Sequence, residues 1–90
     1  MNETLLSKIK SDLNDWEIKN EFLEKQFLFA TFKESIDFVN AVAKISDEAD
    51  HHPDIFISYN RIKISLITHD LGEISEKDYS LAKEIDTLKI

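Results

Sequence analysis

His51-His52-Pro53 and Thr68-His69-Asp70 contain all three histidines of the chain. Imidazole is the side chain that both gives and takes a proton near neutral pH. Three of them beside one expected β-hairpin, with Asp47, Asp50 and Asp70 close in sequence, outline an acid/base site. Taken alone, a His-His pair is more often a solvated loop feature than a catalyst. Histidine with aspartate is also a metal-ligand set. Adjacent histidines on a strand diverge, however, and the alternating or helical ligand spacing is missing. A metal site is therefore not expected.

The elements that must position these groups are legible from hydrophobic spacing. Leu5, Leu6, Ile9 and Leu13 recur at helical intervals after Asn2, a good N-cap residue. Trp16 and Ile18 alternate with charged residues as a short strand, and Asn20-Glu21 supplies a turn. Leu23, Lys25, Phe27 and Phe29 share one face of a second strand, with Phe27 and Phe29 its leading core candidates. Thr31 and Glu34 have the spacing of a capping box. The helix they open should present Phe32, Ile36, Val39 and Ala43, flanked by Phe38, Val42 and Ile45. It should end near Glu48 to Asp50, because Pro53 forces His52 out of helical geometry. Ile55–Tyr59 and Ile62–Thr68 read as strands joined by Asn60-Arg61. Gly72 marks a break, and Ser75 with Asp78 forms a second capping box, with Ile74 and Tyr79 as its hydrophobic staple. Leu81, Ile85 and Leu88 then carry a last helix inward.

The order is helix, two strands, helix, two strands, helix. It predicts an α+β fold, a four-stranded antiparallel sheet with three helices packed on one face. With Asn60-Arg61 as the loop, Tyr59 faces Ile62, Ile57 faces Ile64 and Ile55 faces Leu66, which buries one coherent apolar face. Extending that ladder sets His52 opposite His69, with Cβ atoms about 5 Å apart. His51 points the other way if the strand stays regular there. Asp78 needs no catalytic role to explain it, since a capping-box acid suffices, and Trp16 and Tyr59 are by default core aromatics.

Bulk properties exclude several function classes. Ninety residues suit a single domain spanning 1–90. The formal charge of −7 and the lack of any basic run argue against a nucleic-acid partner. No segment approaches the roughly 18 apolar residues of a membrane span, and Met1 to Lys10 lack the features of a signal peptide. With no cysteine, disulfides and thiolate chemistry are absent. A soluble, cytoplasmic protein is expected.

Asp47, His51-His52-Pro53, Tyr59, His69 and Asp78, in that spacing, resemble the active-site signature of the pterin-4a-carbinolamine dehydratases. The likeness runs from about Trp16 to Glu84. It takes in Gln26-Phe27-Leu28-Phe29, the Tyr59-Asn60 turn, Gly72 and Leu81-Ala82. Trp16 sits where that family often has a tryptophan near the pterin. The resemblance implies removal of water from a 4a-hydroxytetrahydropterin without metal or cofactor, by a homodimer or homotetramer. It implies that His51 and His69 transfer protons, that His52 orients the pterin and that Asp47 holds a histidine. Pro53, Tyr59, Asp78 and Trp16 are then the substrate-binding candidates. Ile55 departs from a tryptophan common in animal relatives. Two alternatives accompany this reading. One is a non-catalytic protein-binding scaffold of the same fold; the other is an enzyme acting on a different pterin, such as a molybdopterin-type compound.

Overall fold

The computed structural model describes residues 1–88. Helix α1 (Glu3–Asp12) is followed by strands β1 (Glu17–Lys19) and β2 (Phe22–Leu28). Helix α2 (Phe32–Ala49), strands β3 (Asp54–Ser58) and β4 (Arg61–Leu66), and helix α3 (Glu76–Asp86) complete the order. The expected α-β-β-α-β-β-α arrangement is present, with one antiparallel sheet in strand order β1-β2-β4-β3. Among the described residues, no helix is long and apolar enough to cross a membrane.

Alternation decides which face of the sheet is covered. Leu23, Ile62, Ile64 and Leu66 are fully buried toward the helices, and Gln26, Arg61 and Phe56 are exposed on the opposite face. Burying such aliphatic side chains contributes roughly 1.5–3 kcal/mol each. A one-residue slip would turn Lys63 and Ser65 inward in their place, so the register is strongly specified. Phe27 and Phe29 pack at the edge of this core, each against Phe38 of α2, at ring-centroid distances of 4.7 and 5.1 Å. Leu23, rather than either phenylalanine, is the most buried residue of β2.

Two expectations are corrected. The buried face of α2 is Ser35, Phe38, Val42 and Ser46, whereas Phe32 and Ala43 are exposed. The helix is rotated from the anticipated stripe because Phe38 fills the space over Phe27 and Phe29, and the small serines permit close approach on either side. The second correction concerns the β3–β4 hairpin. Its two-residue turn is Tyr59-Asn60, and the pairs are Ile57 with Ile62 and Ile55 with Ile64. Tyr59 takes the left-handed conformation (φ 54°). Asn60 is held by the end of β2, its carbonyl accepting from the Phe29 N–H at 2.9 Å and its side-chain amide donating to the Phe29 carbonyl at 3.0 Å. That clamp sets the turn one residue early. The shift of two in pairing keeps every side chain on its expected face.

The caps expected at Asn2, Thr31 and Ser75 form, but Thr31 and Glu34 do not close a reciprocal box, because the Glu34 carboxylate accepts the Ala30 N–H at 3.0 Å instead. Asn2 accepts the Leu5 N–H at 2.8 Å, and Thr31 accepts the Glu34 N–H at 3.1 Å. Ile74 and Tyr79 are both buried beside the α3 cap. Tyr79 also ties α1 to α3, because its hydroxyl donates to the Asp12 carboxylate. The Lys8 ammonium lies 4.7 Å from the Tyr79 ring centroid and 2.5 Å from the Glu76 carboxylate.

The Tyr79 hydroxyl, followed by that of Ser11, lowers the pKa of Asp12, and the Asp12 bond in turn raises that of Tyr79. A depressed acid contributes stability above its unfolded value, and that stability is lost as pH falls through the folded value. A raised phenol contributes below its unfolded value and loses it at high pH. Tyr79→Phe should therefore unfold at lower temperature than the natural protein near neutrality. The gap should close below about pH 4 and above about pH 10. Thermal unfolding across pH measures this; a constant gap would show that the hydroxyl bond is not its source.

Candidate active site

The end of α2 places the first histidine. Asp50 takes the left-handed conformation (φ 52°), and the His51 N–H reaches back to the Ser46 carbonyl at 3.1 Å. This is a helix ending that glycine usually supplies and that aspartate tolerates. Pro53 follows within two residues and begins the extended run into β3. Successive side chains of such a segment point to opposite sides. His51 accordingly turns inward, with its side chain 12% exposed, and His52 turns outward, 59% exposed.

His51 Nε2 lies 2.6 Å from Oδ1 of Asp78, whose side chain is completely buried. The other oxygen of Asp78 accepts the Thr68 hydroxyl at 2.8 Å and the Ser75 N–H at 2.9 Å. Asp78 thus closes the capping box of α3 and holds His51 at the same time. A carboxylate has lone pairs for all three donors. The cap that explains Asp78 by default uses Oδ2, and Oδ1 is left to His51. His52 Nε2 lies 2.9 Å from Oδ1 of Asp47, an exposed pair at the cleft's margin.

His69 arrives on a tight loop. Thr68 and Glu73 form an isolated bridge, and the Gly72 N–H reaches the carbonyls of Thr68 and His69 at 2.9 and 3.1 Å. Gly72 has φ of 67°, a conformation that glycine adopts without steric cost. His69 is exposed and makes no side-chain hydrogen bond to the described residues. The direct His52–His69 pairing is corrected: regular pairing stops at Asp54 with Ser65, and the true register would aim His52 at Ile67. Convergence still occurs. His51, His52, His69, Asp50, Thr68, Asp70 and Lys77 line one open cleft of about 270 Å³, near the lower end of small-ligand sites.

The cleft therefore offers one imidazole rigidly anchored through Nε2, one held loosely at the rim and one free. Its charged walls are the carboxylates of Asp50 and Asp70 and the ammonium of Lys77. Larger grooves exist elsewhere. One of about 410 Å³ runs along Phe27, Phe29, Phe38 and Ile85, but its charged groups, Lys25 and Asp86, pair with each other at 2.8 Å. Chemistry, not size, singles out the histidine cleft. Among the described residues, no group of three or more His, Asp or Glu side chains is arranged to hold a metal ion.

The remaining sequence candidates lie apart from the cleft within one chain. Trp16 is in the core, and its indole N–H donates to Asp86 at 2.9 Å. Eight residues of helix separate Asp86 from Asp78, about 12 Å. Tyr59 is exposed at the hairpin tip, about 20 Å along the extended chain from His52. Thr68, Ser75 and Lys77 carry no site signal in the sequence. Ser75 carried only a capping signal, and Thr68 read as the end of a strand.

A family model described as pterin 4 alpha carbinolamine dehydratase matches residues 1–88. A protein of Sulfurisphaera tokodaii, provisionally named a pterin-4-alpha-carbinolamine dehydratase, is 45% identical over 84 residues, covering 90% of each chain. A similarly named protein of Sulfolobus acidocaldarius is 38% identical, covering 99% of this chain and 98% of its own. Among solved structures, a transcriptional coactivator/pterin dehydratase from Brucella melitensis superposes with a TM-score of 0.88 at 26% identity, over 96% and 94% of the two chains. A pterin dehydratase-like protein identified as a RuBisCO assembly factor in the alpha-carboxysome gives a TM-score of 0.70 at 25% identity, over 81% and 87%.

Removing the Asp78 carboxylate should destabilise the protein by roughly 3 kcal/mol, combining a lost helix cap of about 1 kcal/mol with buried donors left unpaired, about 1–3 kcal/mol. His52→Ala, at an exposed ring, should change stability by less than about 0.5 kcal/mol. Urea unfolding of Asp78→Ala and His52→Ala measures both. Equal, small losses would show that the Asp78 network contributes little to the fold.

Proposed function

Because the chain belongs to the pterin-4-alpha-carbinolamine dehydratase family, we propose that it removes water from a 4a-hydroxytetrahydropterin to give the quinonoid dihydropterin. The observation that carries this reading is the pair of differently restrained imidazoles in one cleft, His51 on buried Asp78 and His69 free. The reaction moves two protons. One reaches the 4a-hydroxyl, so that the C–O bond breaks and water leaves. The other departs from N5 as the electron pair it held forms the new C=N bond. The charges balance, and positioned acid and base groups supply what each step requires.

His51 and His69 are the proton-transfer pair in this reading. His52, steered by Asp47, helps to orient the pterin, and Pro53 sets the direction of the chain between His52 and β3. Asp78 acts through His51, because its buried carboxylate does not reach the substrate directly. Trp16 and Tyr59 lie outside the substrate's surroundings within one chain. A binding-only reading draws on the assembly-factor relative, but it leaves the anchored His51 beside a free His69 without a purpose. A pterin with a different side chain, including a molybdopterin-type compound, would present the same reacting atoms to the cleft. The protein is assigned to the cytoplasm as part of this reading.

His69→Ala should slow dehydration in a stopped-flow assay on a synthetic 4a-hydroxytetrahydropterin while leaving the fold intact, because the ring is exposed. Loss of one positioned acid or base typically costs about 10²–10⁴-fold, a range compressed here by the uncatalysed reaction. Combining it with His51→Ala should bring the rate close to that in buffer. A folded double variant retaining most of the activity would remove the histidines from the mechanism.

The same reading includes self-association as a homodimer or homotetramer. β3 is an edge strand with free backbone groups on one side. Phe56 at its centre and Ile57 beside it are 57% and 43% exposed. Antiparallel pairing of two copies about Phe56 would set Ile55 opposite Ile57. Sedimentation at micromolar concentration should show a species larger than 10.5 kDa; a single monomeric boundary would contradict the pairing.

A further inference from the structure

We propose that Thr68 is a positioning residue. Its hydroxyl, supplied with a hydrogen bond from Ser75, holds Asp78 so that His51 keeps its hydrogen on Nε2 and presents the Nδ1 lone pair to the substrate. The proposal rests on reading the cleft as the dehydration site.

The direction of each hydrogen bond follows from counting hydrogens. The Lys77 N–H donates to Ser75 Oγ at 3.2 Å. Ser75 Oγ and Thr68 Oγ1 lie 2.5 Å apart, a distance at which either oxygen could be the donor. Each hydroxyl carries one hydrogen, and that of Thr68 is committed to Asp78 Oδ2 at 2.8 Å. Ser75 must therefore be the donor to Thr68. The chain runs one way, from a backbone amide in the first turn of α3 through two hydroxyls to the carboxylate. The Ser75 N–H joins it on the same oxygen at 2.9 Å. Every hydrogen points toward Asp78, and the helix N-terminus favours negative charge there.

An ionised carboxylate accepts only, so the third donor at Asp78 is His51 Nε2–H, at 2.6 Å. In the neutral ring, that places the hydrogen on Nε2 and leaves Nδ1 with its lone pair. Nδ1 makes no hydrogen bond to the described residues. His51 is thereby prepared to accept a proton, which casts it as the base and leaves His69 as the acid.

Thr68 is needed because the cap alone does not fix the carboxylate. The terminal torsion of aspartate is soft and roughly two-fold, and a single N–H from Ser75 leaves it free to turn. The Thr68 hydroxyl adds a second, buried donor from a different element, the end of the β4 segment, with Thr68 only 6% exposed. The two donors on Oδ2 aim Oδ1 at His51. Thr68 touches neither reacting atom in this account; it acts through Asp78 and His51.

The test is Thr68→Val, nearly the same shape without the hydroxyl, read by ¹⁵N NMR of the His51 ring at slightly alkaline pH and by stopped-flow dehydration. The natural protein should show a single Nε2–H form. Thr68→Val should show a mixture of tautomers and a rate between those of the natural protein and His51→Ala. Thr68→Ser should restore both. If Thr68→Val does not fold, Thr68→Ala supplies the same readout, since it also lacks the hydroxyl that donates to Asp78. A folded Thr68→Val, or Thr68→Ala in its place, that keeps one Nε2–H form and the full rate would overturn the proposal. Should the natural protein fail to dehydrate the carbinolamine, the functional reading falls, and the His51 tautomer still decides the role of Thr68.

Discussion

One buried carboxylate joins the fold to the cleft. Asp78 caps α3 and binds Thr68 with one oxygen, and it holds His51 with the other. A charge removed from water is tolerated only when its lone pairs are filled, and here three donors from three segments fill them. The loop after α2, the end of the β4 segment and the start of α3 must therefore meet in one arrangement. Their meeting defines the floor of the cleft. The interaction that keeps a buried charge acceptable is also the one that orients the imidazole.

Around this anchor the fold provides restraint in graded amounts. His51 is fixed from two directions, by its backbone bond to Ser46 and its side-chain bond to Asp78. His52 has only the exposed Asp47 carboxylate, and such a surface pair contributes about 0–1 kcal/mol. His69 has a constrained backbone, closed by Gly72 and the Thr68–Glu73 bridge, and an unconstrained ring. An anchored ring beside one without a side-chain partner among the described residues is the contrast on which the proposed division of acid and base rests.

Much of this was legible in the sequence because local signals agreed with the global arrangement. The element order, the Ser75–Asp78 capping box and the alternation that buries Ile62, Ile64 and Leu66 all follow from short-range spacing. The hairpin turn did not, because Tyr59 occupies a left-handed position and Asn60 is recruited by Phe29, a contact 31 residues away. The rotation of α2 was hidden for a related reason: an apolar stripe wide enough to face either way is decided by what it packs against, here Phe27 and Phe29. The spacing of Asp47, His51, His52, His69 and Asp78 pointed to side chains the fold brings near one another: the three histidines line one cleft, and Asp78 and Asp47 each bond one of them. Which oxygen of Asp78 meets which partner was beyond the sequence, since it depends on Thr68 and His51 approaching from separate segments. Trp16 and Tyr59 belong to the same spaced pattern, yet strand length and helix rise place them far from the cleft within one chain.

In the proposed function a pterin sits in the Asp78-anchored cleft. A titration of the ¹⁵N-labelled protein with a stable dihydropterin, followed by amide and imidazole chemical shifts, tests it most directly. Saturable shifts should be concentrated at His51, His52, Thr68, His69 and Lys77 and be weakened by Asp78→Asn. Shifts centred instead on the groove of Phe27, Phe29 and Phe38, or on the outer sheet face around Phe56, with the histidine rings unchanged, would contradict it.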